Sequence, residues 1–127
     1  MSHRILVADD NAASRELIRE VLEMSGYDVV EAADGRDAVS RAQENAPDLV
    51  LVDIQMPRLD GYGVLRELRA DPRLSGLPVV ALTAFAMQGD RERALDAGFD
   101  GYITKPVEIA ALRQEIKRIL QSSPCPL

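Results

Sequence analysis

Short apolar runs rich in β-branched residues alternate with longer stretches in which apolar residues fall at helical spacing, and the alternation repeats five times along the chain. Ile5 to Ala8 reads as a strand. Ala12 to Ser25 reads as a helix with Leu17, Ile18, Val21 and Leu22 on one face, and Gly26 supplies its stop. Val29-Val30 centre a second strand. Asp34-Gly35 is a hairpin signal, yet the residues after it are helical, with Ala38, Val39 and Ala42 in phase, so no hairpin is expected. Pro47 ends that helix. Leu49-Val50-Leu51-Val52 is an unbroken apolar run, the pattern of a parallel strand covered on both faces. After a loop through Pro57, Val64, Leu65 and Leu68 mark a third helix. Pro78 to Leu82 reads as the fourth strand, Arg91 to Ala97 as a weakly amphipathic helix, and Gly101 to Thr104 as the fifth strand. Ile109, Leu112, Ile116, Ile119 and Leu120 mark a last helix. Five βα units in a row predict an α/β fold, a doubly wound parallel sheet with helices on both faces. Residues 1–121 are expected to form one domain and 122–127, with Pro124 and Pro126, a flexible tail.

Bulk properties narrow the class further. A length of 127 residues is common for one domain, and 46% apolar residues is enough for a core. No apolar run is long enough to span a bilayer. Ile5-Leu6-Val7 is too short for a signal peptide and no small-residue cleavage site follows it. Cys125 is the single cysteine, which excludes an intrachain disulfide or a cysteine zinc site and makes a reducing cytoplasm the expected location. The net charge is −6 and Lys and Arg do not cluster, so neither direct nucleic-acid binding nor membrane association is expected.

In a sheet of this kind, ligands bind beyond the carboxyl ends of the strands. The first strand ends in Asp9-Asp10, the third in Asp53, the fourth in Thr83 and the fifth in Thr104-Lys105-Pro106. Carboxylates brought together repel: two unit charges about 4 Å apart cost about 4 kcal/mol at an effective dielectric of about 20. Either one takes a proton or a cation sits among them. All-oxygen ligands suit a hard divalent ion such as magnesium, which uses one or two carboxylates plus a phosphate. A carboxylate is also a nucleophile toward phosphorus and gives an aspartyl phosphate. A metal and a lysine would neutralise the transferred group, and a threonine hydroxyl would hydrogen-bond one of its oxygens. The set therefore supports phosphoryl transfer to an aspartate.

Four segments carry a family resemblance: Ile5-Leu6-Val7-Ala8-Asp9-Asp10-Asn11; Asp48 to Pro57 with Asp60-Gly61; Pro78-Val79-Val80-Ala81-Leu82-Thr83-Ala84; and Tyr102-Ile103-Thr104-Lys105-Pro106. In this order and spacing the chain resembles the response-regulator receivers of two-component signalling, single-domain chemotaxis receivers among them. The resemblance implies a flavodoxin-like sheet of five strands in the order 2-1-3-4-5 with five helices. It implies that Asp53 is the phosphoacceptor, charged from a phosphohistidine on a sensor histidine kinase or a histidine phosphotransfer protein. It implies that Asp10, Asp53 and the backbone carbonyl of Gln55 ligate Mg2+, with Asp9 acting mainly through water. Thr83 and Lys105 would hold the phosphoryl oxygens and Tyr102 would be an aromatic switch, so that the surface changes for a downstream protein target. Such a domain promotes its own phosphorylation and dephosphorylation without being a turnover enzyme. Whether phosphorylation also drives homodimerisation is left open.

Each residue also has a plainer reading. Asp9, Asp10 or Asn11 can cap the first helix, Asp53 can start a turn, and a lysine is by default solvated. Tyr102 can be core, Met24, Met56 and Met87 packing residues, and His3 inert. Lys105-Pro106 can be an ordinary strand end or a cis bond that aims the lysine. What outweighs these readings is that the polar positions fall on separate strand ends and make one coherent site. A magnesium-dependent phosphatase of the aspartyl-phosphate type resembles Asp-x-Asp after its first strand, whereas the acids here are adjacent. A nucleotide or flavin binder of similar fold has little support, since neither a G-x-x-x-x-G-K-[ST] loop nor G-x-G-x-x-G is present. A degenerate scaffold receiver would not keep the intact acid set, Thr83 and Lys105. Phe85 has two readings, a ring over the phosphoryl site that excludes water and prolongs its lifetime, or a core residue under the fourth helix.

Overall fold

The computed structural model describes residues 3–56, 58–84, 89–105 and 107–122. Phe85, Met87, Pro106 and residues 123–127, on which several expectations rest, lie outside the described residues. The elements alternate as β1 (Arg4–Ala8), α1 (Ala12–Met24), β2 (Asp28–Ala32), α2 (Gly35–Asn45), β3 (Leu49–Asp53), α3 (Gly61–Ala70), β4 (Val79–Thr83), α4 (Asp90–Ala97), β5 (Gly101–Thr104) and α5 (Ile109–Ser122). All strand pairings are parallel, and the sheet order is β2-β1-β3-β4-β5. The expected fold and strand order are those observed.

Side chains of a strand alternate between faces, and the core divides accordingly. Leu6, Ala8, Val50, Val52, Val79 and Ala81 pack with residues of α2, α3 and α4. Ile5, Val7, Leu49, Leu51, Val80 and Leu82 pack with residues of α1 and α5. This two-sided burial is why β3 is apolar without interruption. On α5, Leu112, Ile116 and Ile119 are buried at helical spacing, each worth about 1.5–3 kcal/mol of transfer free energy.

Local signals set the helix ends. Asn11 Oδ1 accepts from the Ser14 N–H at 3.0 Å, Asp34 Oδ1 from Asp37 at 2.8 Å and Asp60 Oδ1 from Gly63 at 2.8 Å, each satisfying one of the amides a helix start leaves open. The cap of α1 is thus Asn11, which leaves Asp9 and Asp10 for other work. Gly26, after α1, adopts φ 94°, and Gly98, after α4, adopts φ 114°, a region open to glycine at little cost.

Two expectations about packing are corrected. Met24 is 80% exposed and Leu17 44% exposed; α1 touches the sheet along the narrower stripe Ile18, Val21 and Leu22, and residues 17 and 24 lie on its outer flank. On α4, Ala94 is the buried residue, and Leu95, the large apolar side chain of this weakly amphipathic helix, is 41% exposed. Met56 is buried as expected, and the exposed His3 sets its ring 6.3 Å from that of Tyr27 while its carbonyl accepts from the Asp28 N–H at 2.9 Å.

The N-cap of α4, Gly89, provides no side-chain hydrogen bond. Past its C-terminus, Arg69 of α3 donates to the carbonyl of Gly98 at 3.1 Å and to Asp100 Oδ2 at 3.0 Å, while also reaching the carbonyl of Leu77 at 2.6 Å. The same Asp100 oxygen accepts from the Val79 N–H at 2.9 Å.

Candidate functional site

Register and alternation together assemble an acidic cleft at the carboxyl edge of the sheet. Ala8 is paired with Val52, so one step further Asp9 and Asp53 end neighbouring strands, which run about 4.8 Å apart. Both continue the odd-numbered series, Ile5-Val7 and Leu49-Leu51, that faces α1 and α5. Lys105 follows Ile103 in the same sense. The carboxylate oxygens of Asp9, Asp10 and Asp53 lie within 4.8 Å of one another. Asp9 and Asp53 are buried, whereas Asp10 is exposed at the mouth.

Lys105 Nζ sits between the two buried acids, 2.8 Å from Asp9 Oδ2 and 2.7 Å from Asp53 Oδ2. The contact with Asp53 is an aligned hydrogen bond. The one with Asp9 is a charge–charge contact, and among the described residues Asp9 Oδ2 is buried with no aligned donor. The remaining oxygens bind backbone: Asp9 Oδ1 accepts from Asn11 and Asp53 Oδ1 from Gln55, both at 2.9 Å.

Burial pushes the Asp53 carboxyl above its ordinary range; Lys105 and the Gln55 amide pull it back only in part, and the charge of Asp9 adds to the rise. Burial also works against the Lys105 ammonium, yet the hydrogen bond to Asp53 and the close charges of Asp53 and Asp9 outweigh it and raise its pKa, so it stays protonated.

A divalent cation fits this donor set. Among the described residues, three carboxylates converge with one ammonium between them, a buried acid oxygen lacks an aligned partner, and the oxygen donors suit a hard ion.

Thr83 and Tyr102 belong to the opposite face. Thr83 continues the series Val79-Ala81 that packs toward α4, and Tyr102 packs against the same cluster. Ala81 pairs with Tyr102 and Thr83 with Thr104, which puts Thr83 and Tyr102 diagonally across two strands. Thr83 is 4% exposed, and the Lys105 amide donates to its carbonyl at 2.7 Å. The Tyr102 hydroxyl is buried without a hydrogen-bond partner among the described residues, and burial, followed by the charge of Asp90, raises its pKa.

The structure adds two features that spacing did not reveal. A Cβ on Gly61 would fall 2.7 Å from Ile54 Cα and 2.9 Å from the Asp53 carbonyl oxygen, so only glycine lets α3 begin directly against the phosphoacceptor candidate. The Asp60-Gly61 pair in the sequence was the signal. The second is Arg15, whose Nη1 donates to the Asp9 carbonyl at 2.8 Å; nothing in its spacing pointed to this.

Comparison with known proteins agrees with this geometry. Residues 5–117 match the response regulator receiver domain family. The polar-differentiation response regulator DivK of Brucella ovis is 38% identical over 120 residues, covering 94% of this chain and 98% of DivK. The receiver domain of a Pseudomonas aeruginosa sensor histidine kinase, crystallised with magnesium coordinated in its active-site cleft, superposes with a TM-score of 0.88 at 39% identity, covering 96% of this chain and 100% of that one. The Vibrio cholerae chemotaxis response regulator CheY4 superposes with a TM-score of 0.87 at 26% identity, covering 94% and 99%. No described helix is long and apolar enough to cross a membrane. With the acids, the lysine and the threonine at the strand ends that the fold requires, and with the match running through nearly all of its elements, the chain belongs to the response regulator receiver family, the phosphoacceptor domains of two-component signalling.

Proposed function

We propose that Asp53 is the phosphoacceptor, that Asp10, Asp53 and the Gln55 carbonyl ligate Mg2+ with Asp9 acting through water, and that Thr83, Lys105 and Tyr102 convert phosphorylation into a surface change. The observation that carries this reading is the bridging ammonium: Lys105 already holds positive charge 2.7 Å from Asp53 Oδ2 and 2.8 Å from Asp9 Oδ2. In transfer, an Asp53 carboxylate oxygen supplies the electron pair to phosphorus. The phosphorus–nitrogen bond of a phosphohistidine breaks, and the imidazole leaves with the electron pair of that bond and takes up a proton. Lys105 turns toward a phosphoryl oxygen, an exchange its position between two acceptors makes short. A bound magnesium ion would supply the rest of the charge neutralisation.

Thr83 then donates its hydroxyl to a second phosphoryl oxygen, which draws the end of β4 toward the site. Tyr102, diagonal to it on β5, gains a way to satisfy its hydroxyl by moving. The phosphoryl group shifts this equilibrium only by its differential contacts with the two states. The phosphodonor is a sensor histidine kinase or a histidine phosphotransfer protein, and the recipient is a downstream protein in the cytoplasm. Without a bound substrate other than the phosphoryl group itself, the domain promotes its own labelling and hydrolysis.

Mass spectrometry after acetyl phosphate treatment tests the assignment. One phosphoryl group, acid-stable and base-labile, should appear with magnesium and vanish in excess chelator or in Asp53→Asn. Full labelling of that variant, or catalytic turnover of an added phosphomonoester, would overturn it.

A further inference from the structure

We infer that Arg15 is a positioning residue for the metal site, held in place by Glu31 of the edge strand. This rests on the reading that the acidic cleft binds a divalent cation. Arg15 lies one helical turn past the acids, on α1, and its side chain is 20% exposed. Its Nη1 donates to the Asp9 carbonyl at 2.8 Å, while its Nε donates to Glu31 Oε1 at 3.1 Å. The other Glu31 oxygen accepts from Arg19 at 3.0 Å. The guanidinium is planar and rigid, so Glu31 fixes its plane and thereby the donor aimed at Asp9.

The bonded oxygen is what makes this consequential. The Asp9 carbonyl and the Asp10 amide are one planar unit, so a bond to that oxygen sets the rotation of the peptide and the direction in which Asp10 departs. Asp9 is fixed in other ways, through its amide to the Ala32 carbonyl at 3.1 Å and through Oδ1 to Asn11. Asp10 is the exposed ligand candidate, and the Arg15 bond orients its backbone directly. Partners that orient metal ligands typically matter 10–100-fold in affinity.

Charge alone predicts the opposite sign, and this makes the idea testable. Removing a cation near a metal site should tighten Mg2+ binding; removing a positioning group should weaken it. Calorimetric Mg2+ titration of the whole chain is the measurement, with thermal unfolding in chelator as a separate stability readout. Arg15→Ala should bind Mg2+ about tenfold more weakly, at the low end for such partners. Glu31→Gln keeps an acceptor for Arg15 and should weaken binding by less than Arg15→Ala does; loss of its negative charge acts in the same direction, so the sign test rests on Arg15→Ala. Arg19→Ala removes a cation from the same carboxylate without touching Asp9 and should bind at least as tightly as wild type. In the metal-free protein, the amide resonances of Asp10 and Asn11 should move in Arg15→Ala and stay in Arg19→Ala. Unchanged or tighter binding by Arg15→Ala, with only a lower melting temperature, would overturn the inference. A wild-type chain that binds no Mg2+ would instead defeat the metal reading beneath it.

Discussion

Lys105 Nζ lies 2.7 Å from Asp53 Oδ2, a contact between the ends of β5 and β3 that reaches across β4 and spans 52 residues of chain. The lysine is in effect the resident cation of the acidic cleft. Lys105→Ala should therefore destabilise the metal-free protein by about 3 kcal/mol, the low end for breaking a buried pair from one side. Saturating magnesium should restore most of that. Urea denaturation with and without the metal checks both, and a loss that magnesium leaves untouched would show that Lys105 matters for packing instead.

The raised pKa of Asp53 fixes the sign of a pH effect. Folded Asp53 keeps its proton to higher pH than it does in the unfolded chain, where it titrates near 3.8. Its contribution to stability therefore falls as pH rises from that value through the folded pKa. Asp53→Asn has no such group, so in chelator it should gain on wild type as pH rises from about 4 through the folded pKa of Asp53. A constant difference across the series would remove burial as the cause.

Gly61→Ala should cost about 1–3 kcal/mol, because its Cβ meets the Ile54 backbone at 2.7 Å. It should also slow labelling of Asp53 by acetyl phosphate, since relief requires the loop after β3 to move. Gly76→Ala, with nothing within 4 Å, should be near neutral in both assays. Equal behaviour of the two variants would contradict the close approach.

Tyr102→Phe should stabilise the unphosphorylated protein by about 1 kcal/mol, since it deletes a buried hydroxyl that lacks a partner. Thr83→Ala should still accept a phosphoryl group but respond weakly. Amide shifts from Arg91 to Tyr102 that match the activated wild type in this variant would break the proposed link between β4 and β5.

The fold was legible because burial leaves a periodic record. Leu49 to Val52 is apolar at every position since both faces of β3 are covered, and Leu112, Ile116 and Ile119 repeat at the helical period. The acids, Thr83 and Lys105 were legible as strand ends, where the apolar run stops. The Arg15 bond was not, because a long side chain reaching a carbonyl leaves no spacing to read. Gly61 could be noticed but not explained, since its reason is a backbone seven residues earlier, at Ile54. Leu17 and Met24 misled because a hydrophobic residue at the margin of a helix stripe looks the same in sequence whether it is covered or not. The two roles weighed for Phe85 fall outside the described residues.

Arg69 gives α4 a fixed point just past its C-terminus, where it holds the Gly98 carbonyl. A rod held at such a point turns about it, and its displacement grows with distance from the pin. Eight residues make an arm of about 12 Å, so a tilt of about 10° would carry the far end about 2 Å while the pinned end barely stirs. A small pull at the carboxyl edge of the sheet would then be magnified along the helix, with its fulcrum set by one arginine on the neighbouring helix.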